Sequence, residues 1–552
     1  MSAFVLLGTQ AQAAPTLLVN ARIHTEDPDH PAATALAWDE AGTLLAVGDT
    51  ADLVKRYPGA ATVDAKGAPV VPGLIDAHGH VQDEGGALLT ADLSGANSKA
   101  EILRRLKAQA TKVAPGDWLE GWGWDQNRWP DKSFPTAADL DAAFPDRPLR
   151  LDRVDGHAVW VNSAALRLMA QRPDAKGLDG DWQPEGGRIV RAGAKASGVF
   201  IDNAMDLVNE AMPARTDVQI RQDYKLAFAE MVSLGLTGAH EPGISLQSFR
   251  VLQDMAAKGE VPVRLYTLAD GDHEALDWLC GLGNGGYTDP TARVRMRGVK
   301  LYIDGALGSR GARLLRPYSD DPGNSGIYVT DPADYARIVA KAKGCHLQVA
   351  THAIGDAGNR TVLDTYAQAL GADAKATDHR WRVEHAQIVA LEDIPRFGQL
   401  GVIASMQPTH ATSDMPWAER RLGHDRLAGA YAWQRFVQSG ARLALGSDFP
   451  VEKVNPFLGL YAAVTRQDLK GQPPGGWLPD QRLTREQALA GFTRDAAYAG
   501  FMEGEVGMLK PGLHADFVIL SADPLTVAFR RIADIKPRST WVDGRKVYEA
   551  AK

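Results

Sequence analysis

Eight short apolar runs punctuate the middle of this chain, at residues 70–78, 234–240, 261–268, 298–304, 346–352, 381–386, 401–407 and 441–447. Segments of helical character separate them. Strands that alternate with helices pair in parallel, because each helical crossover returns the chain to the same end of the sheet. Eight parallel strands are the number that closes a (β/α)8 TIM barrel. The expected fold class is therefore α/β. In such a barrel the side chains at the C-terminal strand ends converge on one mouth, so those ends are where chemistry is to be sought.

The first run closes as Leu74-Ile75-Asp76-Ala77-His78-Gly79-His80. Two histidines two apart on a strand share a face, and Gly79 leaves the other face open to close approach. Such a pair grips a divalent metal from one side only. The other runs offer partners: Lys300 in the fourth, His352 at the end of the fifth, His385 at the end of the sixth, and Asp448 just after the eighth. A single histidine at a strand end is ordinarily structural. Four of them with an aspartate at corresponding ends make a donor set. Imidazoles with a carboxylate suit Zn²⁺, with Mn²⁺, Co²⁺ or Fe²⁺ as alternatives. Mg²⁺ and Ca²⁺ prefer oxygen shells.

The flanks read differently. Residues 16–70 carry short β segments, and residues 505–552 carry more of the same kind. Neither end is long enough for its own core, so both are expected to join in one small β-sandwich. The barrel then spans residues 71–504, and residues 83–225 are too long for one connection after its first strand. They are expected to form an inserted subdomain over the mouth, with one strand near residues 147–152 and six tryptophans, Trp118, Trp122, Trp124, Trp129, Trp160 and Trp182. Most of these would pack the insertion's own core, and one or two would line a substrate pocket.

A formal net charge of −8 argues against nucleic acid as a partner. No apolar run has the length of a membrane span. Cys280 and Cys345 can pair, but two cysteines cannot build a metal site of their own. Residues 1–15 combine a short apolar stretch with Ala11-Gln12-Ala13-Ala14, which looks like a cleavage site, yet carry no Lys or Arg. They are read as a remnant export signal, favouring a periplasmic or secreted destination over a cytoplasmic one.

The sequence Pro72-Gly73-Leu74-Ile75-Asp76-Ala77-His78-Gly79-His80 resembles the first metal motif of the amidohydrolase superfamily. Val299-Lys300-Leu301-Tyr302-Ile303-Asp304-Gly305, Thr351-His352-Ala353-Ile354-Gly355-Asp356, Arg382-Val383-Glu384-His385-Ala386-Gln387 and Gly446-Ser447-Asp448-Phe449-Pro450 resemble its N-substituted formamide deformylase-like branch, amidohydrolase family 3. The resemblance covers nearly the whole chain. It implies that His78, His80 and Asp448 bind a buried metal, that His352 and His385 bind a second, and that Lys300 bridges them as a carbamate formed from CO₂. If Lys300 is an ordinary lysine paired with Asp304 or another carboxylate, the site holds one metal.

The implied reaction is hydrolysis of a C–N bond, an amide or N-formyl amide, in a small and partly aromatic substrate. A metal-activated water attacks and Asp448 carries the proton to the leaving amine. His157 from the insertion, Arg310 after the fourth run, and His410 and Trp417 after the seventh are the expected substrate contacts, with Asp414 shaping the pocket; for Arg310 a salt bridge within its loop is the equal alternative. Glu241 is at most a support behind the ligands. An esterase, lactonase or deaminase on the same scaffold is the nearest alternative; an isomerase or a non-catalytic binding barrel is more remote. The expected partner is a small molecule, and a homodimer is left open.

Overall fold

The computed structural model describes residues 14–551 apart from residues 115, 174 and 272, so most of the segment read as an export signal lies outside the described residues. All eight expected barrel strands are present. They are β1 (Leu74–Asp76), β2 (Leu236–Ile244), β3 (Arg264–Asp270), β4 (Val294–Tyr302), β5 (Gln348–Ala353), β6 (Arg382–His385), β7 (Ile403–Met406) and β8 (Leu443–Leu445). Each pairs in parallel with the next. The ring closes where Ala77 N donates to Leu445 O at 3.0 Å and Asp448 N to His78 O at 2.7 Å. The fold is thus an α/β TIM barrel. Its strands are buried on both faces, which is why they read as nearly continuous apolar runs.

The first run departs from expectation. It is two strands, not one. Pro69–Pro72 pairs with Arg22–His24 and Phe517–Leu520 in a separate sheet. The chain then passes Gly73, where a Cβ would lie 2.1 Å from Thr237 Oγ1, and enters the barrel as β1. An apolar run buried on both sides has no alternation to mark such a division. His78 and His80 accordingly lie beyond the strand end, not on it, and His80 is the N-cap residue of helix Val81–Ala87.

Two further sheets flank the barrel. A four-stranded sheet from the N-terminal region faces a six-stranded sheet built from both ends of the chain. Trp38 of the first meets Phe517 and Trp541 of the second, with ring centroids 5.6 and 6.0 Å away. Between β1 and β2 lies a six-stranded sheet running, in spatial order, through residues 187–192, 195–202, 158–161, 149–153, 119–124 and 91–92. Trp124, Trp129 and Trp160 are its buried core, while Trp182 is exposed. Cys280 and Cys345 are joined as a disulfide.

Candidate metal centre

The chemistry-bearing side chains meet at the C-terminal mouth of the barrel. His78 is fully buried, and its Nδ1 lies 2.5 Å from Glu384 Oε2. A carboxylate can only accept, so Nδ1 carries the proton and Nε2 keeps its lone pair for an ion. Glu384 is held ionised: burial would raise its pKa, but Arg382 outweighs this and lowers it. Arg382 donates to both Glu384 oxygens at 2.7 and 2.9 Å and to Ala77 O at 2.6 Å. His385 is oriented in the same way, with Nδ1 2.8 Å from Gln407 Oε1.

Asp448 sits among the imidazoles. Its Oδ1 lies 3.4 Å from His78 Nε2 and 3.3 Å from His80 Nε2, and its Oδ2 lies 3.6 Å from His410 Nε2. Burial favours the neutral acid, yet His78, His80 and His410 bring the Asp448 pKa down to about 2. Its place is fixed by Asp76, which accepts from Ser447 Oγ at 2.7 Å and from His78 N at 3.0 Å. Both His385 and Asp448 adopt left-handed backbone, at φ 73° and 64°. Such conformations cost on the order of 1 kcal/mol or more and persist where surroundings enforce them, commonly at functional sites.

Two groups of donors could each hold an ion: His78, His80 and Asp448, and His385, His410 and Asp448. His352 adjoins the second, its ring centroid 4.6 Å from that of His385. Burial drives the pKa of His78, His352 and His385 well below the ordinary histidine value, so their lone pairs stay available. Lys300 Nζ lies 3.5 Å from His78 Nε2 and over the Tyr302 ring, and burial lowers its pKa to about 8. It does not pair with Asp304, whose carboxylate accepts from the backbone N–H groups of Arg313, Ile354 and Gly355.

The expected substrate contacts divide. His157 reaches the mouth from the insertion, its ring 4.8 Å from that of His352 and its Nδ1 2.7 Å from Asp202 Oδ1. Asp202 raises the His157 pKa against the effect of burial. His410 and Trp417 line the cavity, as does Asp414, which accepts from Tyr431 and Gln387 at 2.6 Å each. Arg310 is placed elsewhere. It pairs with Asp320 at 3.0 Å and lines neither lobe of the cavity. The loop's own carboxylate satisfies it before any substrate could. Glu241 supports the helix after His80 by accepting from Gln82 N at 2.8 Å.

Sequence reasoning missed Glu384, Arg382, Gln407, Asp76 and Asp202. Arg382 and Glu384 carried a readable signal: opposite charges two apart on a barrel strand face inward together and must pair.

Residues 61–548 match the amidohydrolase family. The chain belongs to that family. It is similar to the N-substituted formamide deformylase of Arthrobacter pascens, 26% identical, with 97% of this chain and 98% of that protein covered. It is also similar to Protein LONG AFTER FAR-RED 3 of Arabidopsis thaliana, 33% identical over 97% of this chain and 92% of that protein. Among solved structures, an uncharacterized metal-dependent hydrolase from Pyrococcus horikoshii superposes with a TM-score of 0.75 at 29% identity, covering 93% of this chain and 99% of the other. This amidohydrolase is therefore a hydrolase whose centre is built to depend on metal.

Proposed function

We propose that this amidohydrolase cleaves the C–N bond of an amide or N-formyl amide at a binuclear zinc centre. His78, His80 and Asp448 would hold one ion, and His352 and His385 the other, with His410 within reach of the second. The observation that carries this reading is the fixed donor set: buried neutral imidazoles, His78 and His385 with Nδ1 tied down, surround one ionised carboxylate. Lys300 would bridge the ions as a carbamate. Its lowered pKa leaves a share of neutral amine near neutrality, and an amine lone pair adds to CO₂ with loss of a proton. When bound, Zn²⁺ acidifies water and polarises the scissile carbonyl.

The chain's own residues supply the remainder. Asp448 Oδ2 accepts a proton on the side facing His410 and returns it to the departing nitrogen. His157, steadied by Asp202, faces the same space from above and contacts the substrate carbonyl side. Metal analysis and turnover of a panel of N-acyl and N-formyl amines, esters and lactones test the reading. Absence of bound metal, or preference for esters over every amide, overturns it. Release of CO₂ from acidified protein, lost in Lys300→Met, tests the carbamate.

A further inference from the structure

The cavity over the metal centre has two lobes, of about 1420 and 660 Å³. They meet at Trp122, His157, His352, His385 and Asp448, which line both. Lys300, Tyr302, Arg150 and Met212 line only the larger, whereas His410, Asp414 and Trp417 line only the smaller. A bond that breaks at Asp448 thus has room on each side.

Asp448 gives the bond a direction. Its Oδ1 is turned to His78 and His80, and its Oδ2 to His410. The oxygen that carries a proton to the leaving nitrogen therefore opens toward the smaller lobe. That lobe has a fixed aromatic wall. The Arg421 guanidinium covers the Trp417 ring, 5.6 Å from its centroid, and Arg421 donates to Asn127 Oδ1 at 2.9 Å and to Gly308 O at 3.2 Å. Across the cavity, Trp122 is tied by its Nε1 to Pro450 O at 3.1 Å.

We propose that the smaller lobe is the amine subsite and the larger lobe the acyl subsite of a single substrate. That substrate is a secondary carboxamide with an aromatic amine portion and a multi-carbon acyl portion. The inference rests on the amide reading above and narrows it away from formamides, because a formyl carbon bears only hydrogen and leaves the larger lobe unused. Water adds to the carbonyl carbon, the C–N bond breaks, and the nitrogen leaves as an amine with the proton from Asp448 while the acyl group leaves as a carboxylic acid.

Two substrate series on the metal-loaded enzyme test it. The first holds benzylamine constant and carries formyl, acetyl, butanoyl and phenylacetyl groups. The second holds phenylacetyl constant and pairs it with methylamine or benzylamine. The expected result is a rise in kcat/KM of at least about tenfold from formyl to phenylacetyl, and again from methylamide to benzylamide. Trp417→Ala, or Trp417→Leu if the first does not fold, should shrink the benzyl-to-methyl ratio and leave the acyl ratio in place. Met212→Trp should do the converse. Fastest turnover of the formamide, or a common loss on all substrates in the Trp417 variants, would overturn the assignment. If esters are cut and amides are not, the amide reading fails, and the same ratios measured on benzyl and methyl esters decide the lobes.

Discussion

The barrel and the insertion contribute to one cavity by different means. The barrel presents Lys300, His352 and His385 from its strands, and His78 and Asp448 from the turns just beyond them, with Arg382 and Glu384 in buried contact beneath. The insertion is held by its own aromatic core of Trp124, Trp129 and Trp160 and sends His157 and Trp122 over the mouth. The difference teaches where the two halves of an enzyme's task reside. Ion binding needs positions held to fractions of an ångström and sits on the closed sheet. The cavity wall above the ions is shared: His157 and Trp122 come from the piece with a separate core, and His410 and Trp417 from the loop after β7.

Four measurements can break or sharpen that division. The largest effect belongs to the barrel: His78→Ala should lose one equivalent of metal and lower kcat/KM by about 10³-fold or more. Metal retained in full by this variant would contradict the division. Next is the insertion: His157→Ala should lower kcat by about 10²-fold while metal content stays unchanged, read by elemental analysis beside kinetics. Loss of metal here would show that the insertion holds the ions too. Glu384→Gln keeps the shape but weakens the hold on His78 Nδ1, and should cost about 10–100-fold in metal affinity, seen by competition with a chelator. The smallest effect is expected for Arg310→Ala. Its partly exposed pair with Asp320 is worth about 0.2–1 kcal/mol of stability, and KM should not move. A raised KM would return Arg310 to the substrate site.

Much of this was legible in the residues. The eight strands announce themselves because burial on both faces demands unbroken apolar runs, and the His/Asp set stands out because those side chains are out of place at the ends of such runs. The same burial hid the break at Gly73, since Pro69–Pro72 and β1 are equally buried though they serve different sheets. Asp202 was invisible for another reason. Its partner His157 lies 45 residues away, joined across two antiparallel strands whose register only the folded sheet fixes. For Arg310 the sequence leaves a substrate carboxylate and a salt bridge within the loop equally open, because only the folded loop brings Asp320 to it. The seventh-strand loop was read for substrate alone, yet His410 Nε2 also completes a donor group with His385 and Asp448.

The join at Gly73 has a temporal consequence. Pro69–Pro72, immediately before β1, takes its antiparallel neighbour from Phe517–Leu520, and Gly73 N donates to Asp516 O at 2.8 Å. On a ribosome the histidines of the first motif emerge before the other donors, but the strand that braces the chain leading to them is made only after all of those donors. The first donors of the candidate metal centre to be synthesised thus gain their full support only once Phe517–Leu520 has been made.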